Sequence, residues 1–315
     1  MSMQPKLSII TINFNNLEGL KKTAESVLHQ TWTDYEWIIV DGGSTDGSKE
    51  YIEDLAAKLS SGYNPTGIAW DVERFSMPGF TAKEMKDFPN SSSQEDNEKR
   101  RLFWCSEPDN GIYNAMNKGI AKASGEYLNF MNSGDCYFDS DTLEEVSAYM
   151  EGNDADVYYG DITIVADDSS CVEQITFRAP LDIFDLYYTP LCHQAQYYRT
   201  LLLKNKCFDE KYKIKGDHAK NIEFLKNDCI FKHLPFYVAR YNNSGVSSRY
   251  NENTVPEMKR IDNECFSQSA LSALSRLYKY ENGHIYQRVN HILERGGFLS
   301  LVLKSFLKIA GTKKK

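Results

Sequence analysis

The chain has 315 residues, 41% hydrophobic and 13% aromatic, enough for a buried core in one large domain or two modest ones. Its 36 Lys and Arg against 44 Asp and Glu leave a net charge of -8, which argues against nucleic acid as a partner, because that needs a dominant basic face. Seven cysteines stand singly with no CxxC pair, the pattern of reduced thiols rather than of a disulfide framework or zinc site.

Leu7 to Ile12 is apolar nearly throughout, as a buried parallel strand is. A polar break follows at Asn13-Phe-Asn-Asn16, with Asn15 or Asn16 as a helix cap. Leu17, Leu20, Ala24, Val27 and Leu28 then fall on one helical face. Trp37 to Val40 is a second buried strand, running into Asp41-Gly-Gly-Ser-Thr-Asp-Gly47, and the next helix carries Tyr51, Ile52, Leu55, Ala56 and Leu59. This alternation predicts a parallel sheet with helices on both faces. The rhythm fails from Ser60 to Arg101, where Ile68 to Val72 is a third strand and a stretch over about 73–101 follows it. That stretch is polar and aperiodic and is expected to be a mobile insertion.

Trp104 to Glu107 resembles a strand end, Asp109-Asn110-Gly111 a turn, and Ile112 to Ala123 a helix. Tyr127 to Met131 is a short apolar strand that stops at Asn132-Ser133-Gly134-Asp135. Two polar loops holding Asp109 and Asp135 therefore follow two strand ends, where open α/β sheets bind ligands. Two acids there suit a divalent metal and a phosphorylated ligand. Beyond them the sequence predicts a helix at Thr142 to Met150, strands around a turn at 156–161 and 162–165, and a helix at Asp182 to Tyr188. LCHQAQYYR is strand-like, Gly216-Asp217 opens a helix, Ile230 to Tyr241 is a strand, and the chain is helical from Val255.

Together, SIITINFNN, SVLHQTWTDYEWIIVDGGSTDGS, SEPDNGIYNAMNKGIAKASGEY and NSGD resemble the family 2 glycosyltransferases of GT-A fold, the bacterial enzymes of capsule, exopolysaccharide and O-antigen assembly in particular. The likeness is close over Leu7 to about Leu59 and Trp104 to roughly Tyr137. It is looser through YGD, CHQA, GDH and GVSS. It implies a Rossmann-like, mostly parallel sheet flanked by helices in a domain over 1–250, with a helical C-terminal extension over 251–315. It also implies an inverting transfer of a sugar from a nucleotide-diphosphate sugar, a UDP-sugar first among them, to a hydroxyl of a saccharide or lipid-linked saccharide. Mn2+ or Mg2+ would neutralise the leaving diphosphate, and a carboxylate would act as base. The lack of a GxGxxG or P-loop speaks against dinucleotide and NTPase readings.

Residue by residue, the resemblance makes Asp41 the acid that bonds the nucleobase, with Thr11 and Asn13 contacting the nucleoside. Asp109 lies near the nucleotide. Asn132 bonds ribose or phosphate but carries no charge. The usual Asp-x-Asp triplet is incomplete, so Asp135 is left to hold the metal. Asp217 is the base, with Asp161 as its competitor, and His193 touches acceptor or diphosphate. The incomplete triplet also admits a catalytically silent nucleotide-sugar scaffold on the same fold. Residues 297–315 join an apolar face to Lys304, Lys308 and Lys313-Lys314-Lys315, which suits an interfacial helix on a membrane. A packed last helix or a homodimer contact is the alternative. The expected location is cytoplasmic, peripheral on the inner membrane face, because no run reaches the roughly 20 apolar residues of a span.

Overall fold

The computed structural model describes residues 5–63, 69–81, 99–166, 170–242 and 254–281. In chain order the elements are β1 (Leu7–Asn13), α1 (Leu17–Leu28), β2 (Tyr35–Asp41), α2 (Ser48–Ser60), β3 (Ala69–Arg74) and β4 (Lys99–Ser106). Then come α3 (Ile112–Lys122), β5 (Tyr127–Phe130), β6 (Cys136–Tyr137), α4 (Thr142–Met150), β7 (Val157–Val165), β8 (Cys171–Ile175) and α5 (Ile183–Tyr188). The last are β9 (Gln196–Arg199), α6 (Thr200–Asn205), α7 (Gly216–Lys226), β10 (Phe231–Asn242), α8 (Thr254–Cys265) and α9 (Gln268–Glu281).

The strands form a sheet of order β3-β4-β2-β1-β5-β9-β7-β10-β6, with β8 paired to β7. From β3 to β5 every pairing is parallel. β1 and β2 are buried along their whole length, which is why both are apolar runs without alternation. β9 then enters antiparallel to β5 and β7, while β7 and β10 run parallel to each other. Parallel pairing places the ends of β1, β2 and β4 together, with Asn13 opposite Asp41 and Asp41 opposite Ser106.

Three local expectations are revised. Residues 157–165 form one strand, not two around a turn: the backbone runs straight through Gly160, which packs against Val238. In LCHQAQYYR, His193–Ala195 is a 3-10 turn and the strand begins at Gln196. Within the interval 73–101, Glu73 and Arg74 end β3 and Lys99–Arg101 begin β4. Met77 and Phe80 are buried there, and Ser76 Oγ and the Met77 N–H donate to Glu107. Residues 82–98 of that interval lie outside the described residues.

The chain divides into two compact units, Met1–Met258 and Lys259–Lys315. The first holds the sheet and its helices. The second contains the end of α8 and all of α9. Residues 297–315, the expected membrane contact, lie outside the described residues. Among the described residues no helix is long and apolar enough to cross a membrane.

Candidate active site

At the end of β2 the Asp41 carboxylate is fully buried and accepts four hydrogen bonds. Asn13 Nδ2 (2.7 Å) and Ser44 Oγ (2.5 Å) donate to Oδ1, while Ser44 N–H (3.0 Å) and Ser106 Oγ (2.6 Å) donate to Oδ2. The pairing turns the Asn13 amide so that its nitrogen faces Asp41. Its buried Oδ1 is left without a partner. Thr11 lies inside the sheet, where its hydroxyl accepts from the Trp37 indole at 3.0 Å. Beside this group, Phe14 is 65% exposed. Gly42 sits between it and Asp109: a Cβ there would come within 2.6 Å of Asp109 Oδ2 and 3.1 Å of the Phe14 ring. Asp109 Oδ1 accepts from the Gly111 N–H, and burial raises its pKa above the ordinary carboxylate value.

The loop after β5 is pinned from α1. Buried Thr23 donates to the carbonyls of Asn132 and Asp135 and accepts from the Gly134 N–H, while Asn16 Nδ2 donates to the Ser133 carbonyl. The Asp135 side chain is turned inward. Gln194 Nε2 donates to Oδ2 at 2.7 Å and the Asn242 N–H to Oδ1 at 3.0 Å, and burial raises its pKa. In this loop the buried oxygens left without a partner are Asn132 Oδ1 and Ser133 Oγ.

Asn132 also begins a chain of side chains that crosses to α7. Its Nδ2 donates to His193 Nε2 (2.8 Å), and His193 Nδ1–H donates to Asp217 Oδ2 (3.0 Å). Asp217 Oδ1 accepts from Tyr113 OH (3.0 Å) and from the His218 N–H (2.9 Å). Burial works to raise the Asp217 pKa. The hydrogen bond from His193, with the His218 and Tyr113 donors, outweighs it and holds the carboxyl below its ordinary value. A carboxylate has about four acceptor positions, and three are filled, so Oδ2 keeps one for an incoming donor. Asp217 is thus ionised, ordered and still able to take a proton. Asp161, the competitor, is held by His233 Nε2 at 2.8 Å and the Phe177 N–H at 3.0 Å.

The expected residues therefore fall into two groups, Asn13 with Asp41 and Asn132 with His193 and Asp217. Asp109 stands at the first, and Thr11 and Asp135 point into the protein. Ser44, Ser106, Phe14, Tyr113 and Gln194 are additions. Ser44 was within reach of the sequence, lying in the turn that follows Asp41. Tyr113 and Ser106 were not, because their partners are remote in the chain.

An α/β sheet with polar strand-end loops on one side is the architecture of GT-A nucleotide-dependent transferases, and comparison with known proteins agrees. The family model "Glycosyl transferase family 2" matches residues 8–68 and 81–206, more than half of the chain, and the chain belongs to that family. It is a glycosyltransferase. A PGL/p-HBAD biosynthesis glycosyltransferase of Mycobacterium tuberculosis is 26% identical over 247 residues, covering 76% of this chain and 78% of the relative. An uncharacterized glycosyltransferase of the same species is 33% identical over 153 residues, 48% of this chain and 42% of its own. Among solved structures, S. aureus TarS in complex with UDP superposes with a TM-score of 0.56 at 17% identity, over 89% of this chain and 72% of that one. A mannosyltransferase of Pyrobaculum calidifontis in complex with GDP-Man and Mn2+ gives 0.51 at 12% identity, over 99% and 82%.

Proposed function

We propose that the enzyme transfers a sugar, with inversion, from a nucleotide-diphosphate sugar to a hydroxyl of a saccharide acceptor. The observation that carries this reading is the ordered chain Asn132–His193–Asp217–Tyr113, which joins a strand-end loop to an ionised carboxylate with an open acceptor position. Asp217 takes the acceptor hydroxyl proton as the oxygen attacks the anomeric carbon and the bond to the diphosphate breaks. His193 fixes the direction of the carboxylate. Family membership and the complexes of fold relatives with UDP and GDP-Man support a nucleotide sugar as donor, with a UDP-sugar first in line.

The base and ribose belong at the first group of residues. Asp41 is saturated by protein donors, so it sets the amide of Asn13, and Asn13 Oδ1 is the acceptor offered to a nucleobase or ribose donor. Phe14 supplies an exposed ring for stacking. Replacing Phe14 by Ala is expected to weaken nucleoside diphosphate binding by roughly 10- to 100-fold, from a stacking energy of about 1–3 kcal/mol. The melting temperature of the unliganded variant should stay within about 1 °C, as for an exposed side chain. Calorimetric titration with UDP checks it; unchanged affinity removes Phe14 from the site.

The oxygens of Asn132 and Ser133 that lack partners fit a hard divalent cation, Mn2+ or Mg2+, which they would help to hold. Asp135, now held by Gln194 and the Asn242 N–H, would supply the carboxylate. Once bound, the cation neutralises charge developing on the leaving group. Incubation with UDP-glucose, UDP-galactose, UDP-N-acetylglucosamine and GDP-mannose tests the whole reading. Slow, metal-dependent release of the nucleoside diphosphate from one of them supports it. No release from any supports a silent scaffold.

A lipid-linked acceptor is also proposed, on the apolar and basic sequence of residues 297–315. Full-length protein is expected to sediment with anionic liposomes, and a chain ending at Arg295 to stay in solution. Equal sedimentation of the two overturns the membrane contact.

A further inference from the structure

Asp217 occupies the second position of α7, where the first turn of a helix leaves backbone N–H groups without intrahelical partners. An Asp near a helix start ordinarily satisfies those donors itself. Here Asp217 Oδ1 takes only the His218 N–H, and the donors before it go to two residues remote in the chain. The Glu257 carboxylate, 5% exposed on the first turn of α8, accepts from three consecutive N–H groups, those of Lys213 (2.5 Å), Ile214 (3.0 Å) and Lys215 (2.8 Å). Tyr113 OH, buried on α3, accepts from the next two, Gly216 (2.7 Å) and Asp217 (3.2 Å). All five donors from 213 to 217 are thereby consumed, and the first intrahelical bond follows at Ala219. Gly216 lets the Tyr113 ring come this close, since a Cβ there would lie 2.7 Å from it.

We infer that Glu257 is a positioning residue for catalysis: by filling the backbone nest at 213–215 it leaves the Asp217 carboxylate free to face His193 and the acceptor. A negative charge in front of a helix N-terminus is favourable there, and three converging N–H groups form an anion-binding concavity that Glu257 fills from within the chain. Without it, the nearest available anion is Asp217 itself. The carboxylate would then turn back to cap its own helix and leave His193. A misplacement of about 1 Å at a reacting group costs on the order of 100-fold in rate.

This inference rests on Asp217 as the base, and the test separates the two. In Glu257→Ala, turnover of the nucleotide sugar hydrolysed in the panel above should fall about 10- to 100-fold, with donor KM within about twofold. Acetate or formate should restore most of the loss by entering the nest, and chloride at equal ionic strength should not. Hydrogen exchange should show faster amide exchange at 213–217, reversed by acetate. Placed on Asp217→Asn, the Glu257 change should cost little more, because the two act as one unit. Glu257→Gln, which keeps an acceptor oxygen without the charge, serves if the Ala variant does not fold, and should show a smaller loss in kcat alone. Unchanged kcat in both variants, or a loss that acetate does not restore, overturns the positioning role. If Asp217→Asn turns over normally, the base assignment fails instead, and the exchange measurement still reports whether Glu257 holds the nest.

Discussion

Replacing Asp217 by Asn is expected to lower turnover by about 10²- to 10⁴-fold while nucleoside diphosphate affinity stays near that of the parent protein. The amide keeps the size of the carboxylate and can still meet Tyr113 and the His218 N–H, so the fold should hold. It cannot accept the acceptor proton, which is the step at stake. Near-normal turnover in a coupled nucleoside diphosphate assay would move the base elsewhere. The same variant carries a pH signature. The Asp217 carboxyl is held below its ordinary value of 3.8 in the folded chain. The unfolded chain therefore binds more protons in acid, and Asp217 contributes stability that is complete above pH 3.8 and lost as pH falls through the lower folded value. The gap in stability between parent and Asp217→Asn should be widest near neutrality and close in acid, as urea unfolding at a series of pH values would record. A gap that widens in acid would contradict the assigned shift.

The second large effect is on stability and binding at once. Asp41→Ala removes the acceptor for four donors in a place with no solvent, from Asn13, Ser106 and twice from Ser44. Each buried donor left unmade costs about 1–3 kcal/mol, and partial rearrangement brings the sum to roughly 3–5 kcal/mol. A melting temperature lower by roughly 6–15 °C is the expected reading for a chain of this size. Nucleotide binding should fall as well, because the Asn13 amide is no longer held in place by Asp41. Asp41→Asn, which retains one acceptor oxygen, should lose about half as much stability. If Asp41→Ala melts like the parent, those four hydrogen bonds are not what orders the end of β2.

Much of this was legible in the sequence because it is local. The apolar runs of β1 and β2, the polar breaks after them, and the Asn16 cap of α1 are written in adjacent residues, and each formed where expected. The places of Asp41 at the end of a strand and of Asp217 at the start of a helix were legible in the same way. What was not legible depends on partners far apart in the chain. The turn of Asp135 toward Gln194 and Asn242 joins residues 59 and 107 positions away. Glu257 carries no signal in its neighbours, because the N–H groups it accepts from lie 42 to 44 positions away. His193 was assigned a contact with the acceptor or diphosphate, and its place between Asn132 and Asp217 follows from the 3-10 turn that interrupts an apparent strand.

The route by which the sheet is completed bears on how the enzyme is made. β6, two residues long, pairs with β10, and the Asn242 N–H at the end of β10 closes on Asp135. Synthesis from the N-terminus delivers the whole parallel half, with Asn13, Asp41 and the Asn132 loop, before β10 exists. Long-range pairing of this kind is slow because a large loop must close before contacts compensate for it. The parallel half is thus free to assemble early around its own core. The loop after β5 is held from α1 as soon as it is made, whereas the Asp135 side chain gains its Gln194 and Asn242 partners only when residues 59 and 107 positions later arrive. The Asn13–Asp41 group thus has all of its partners once Ser106 is made, whereas the partners of Asp135 and Asp217 come from the second half of the chain.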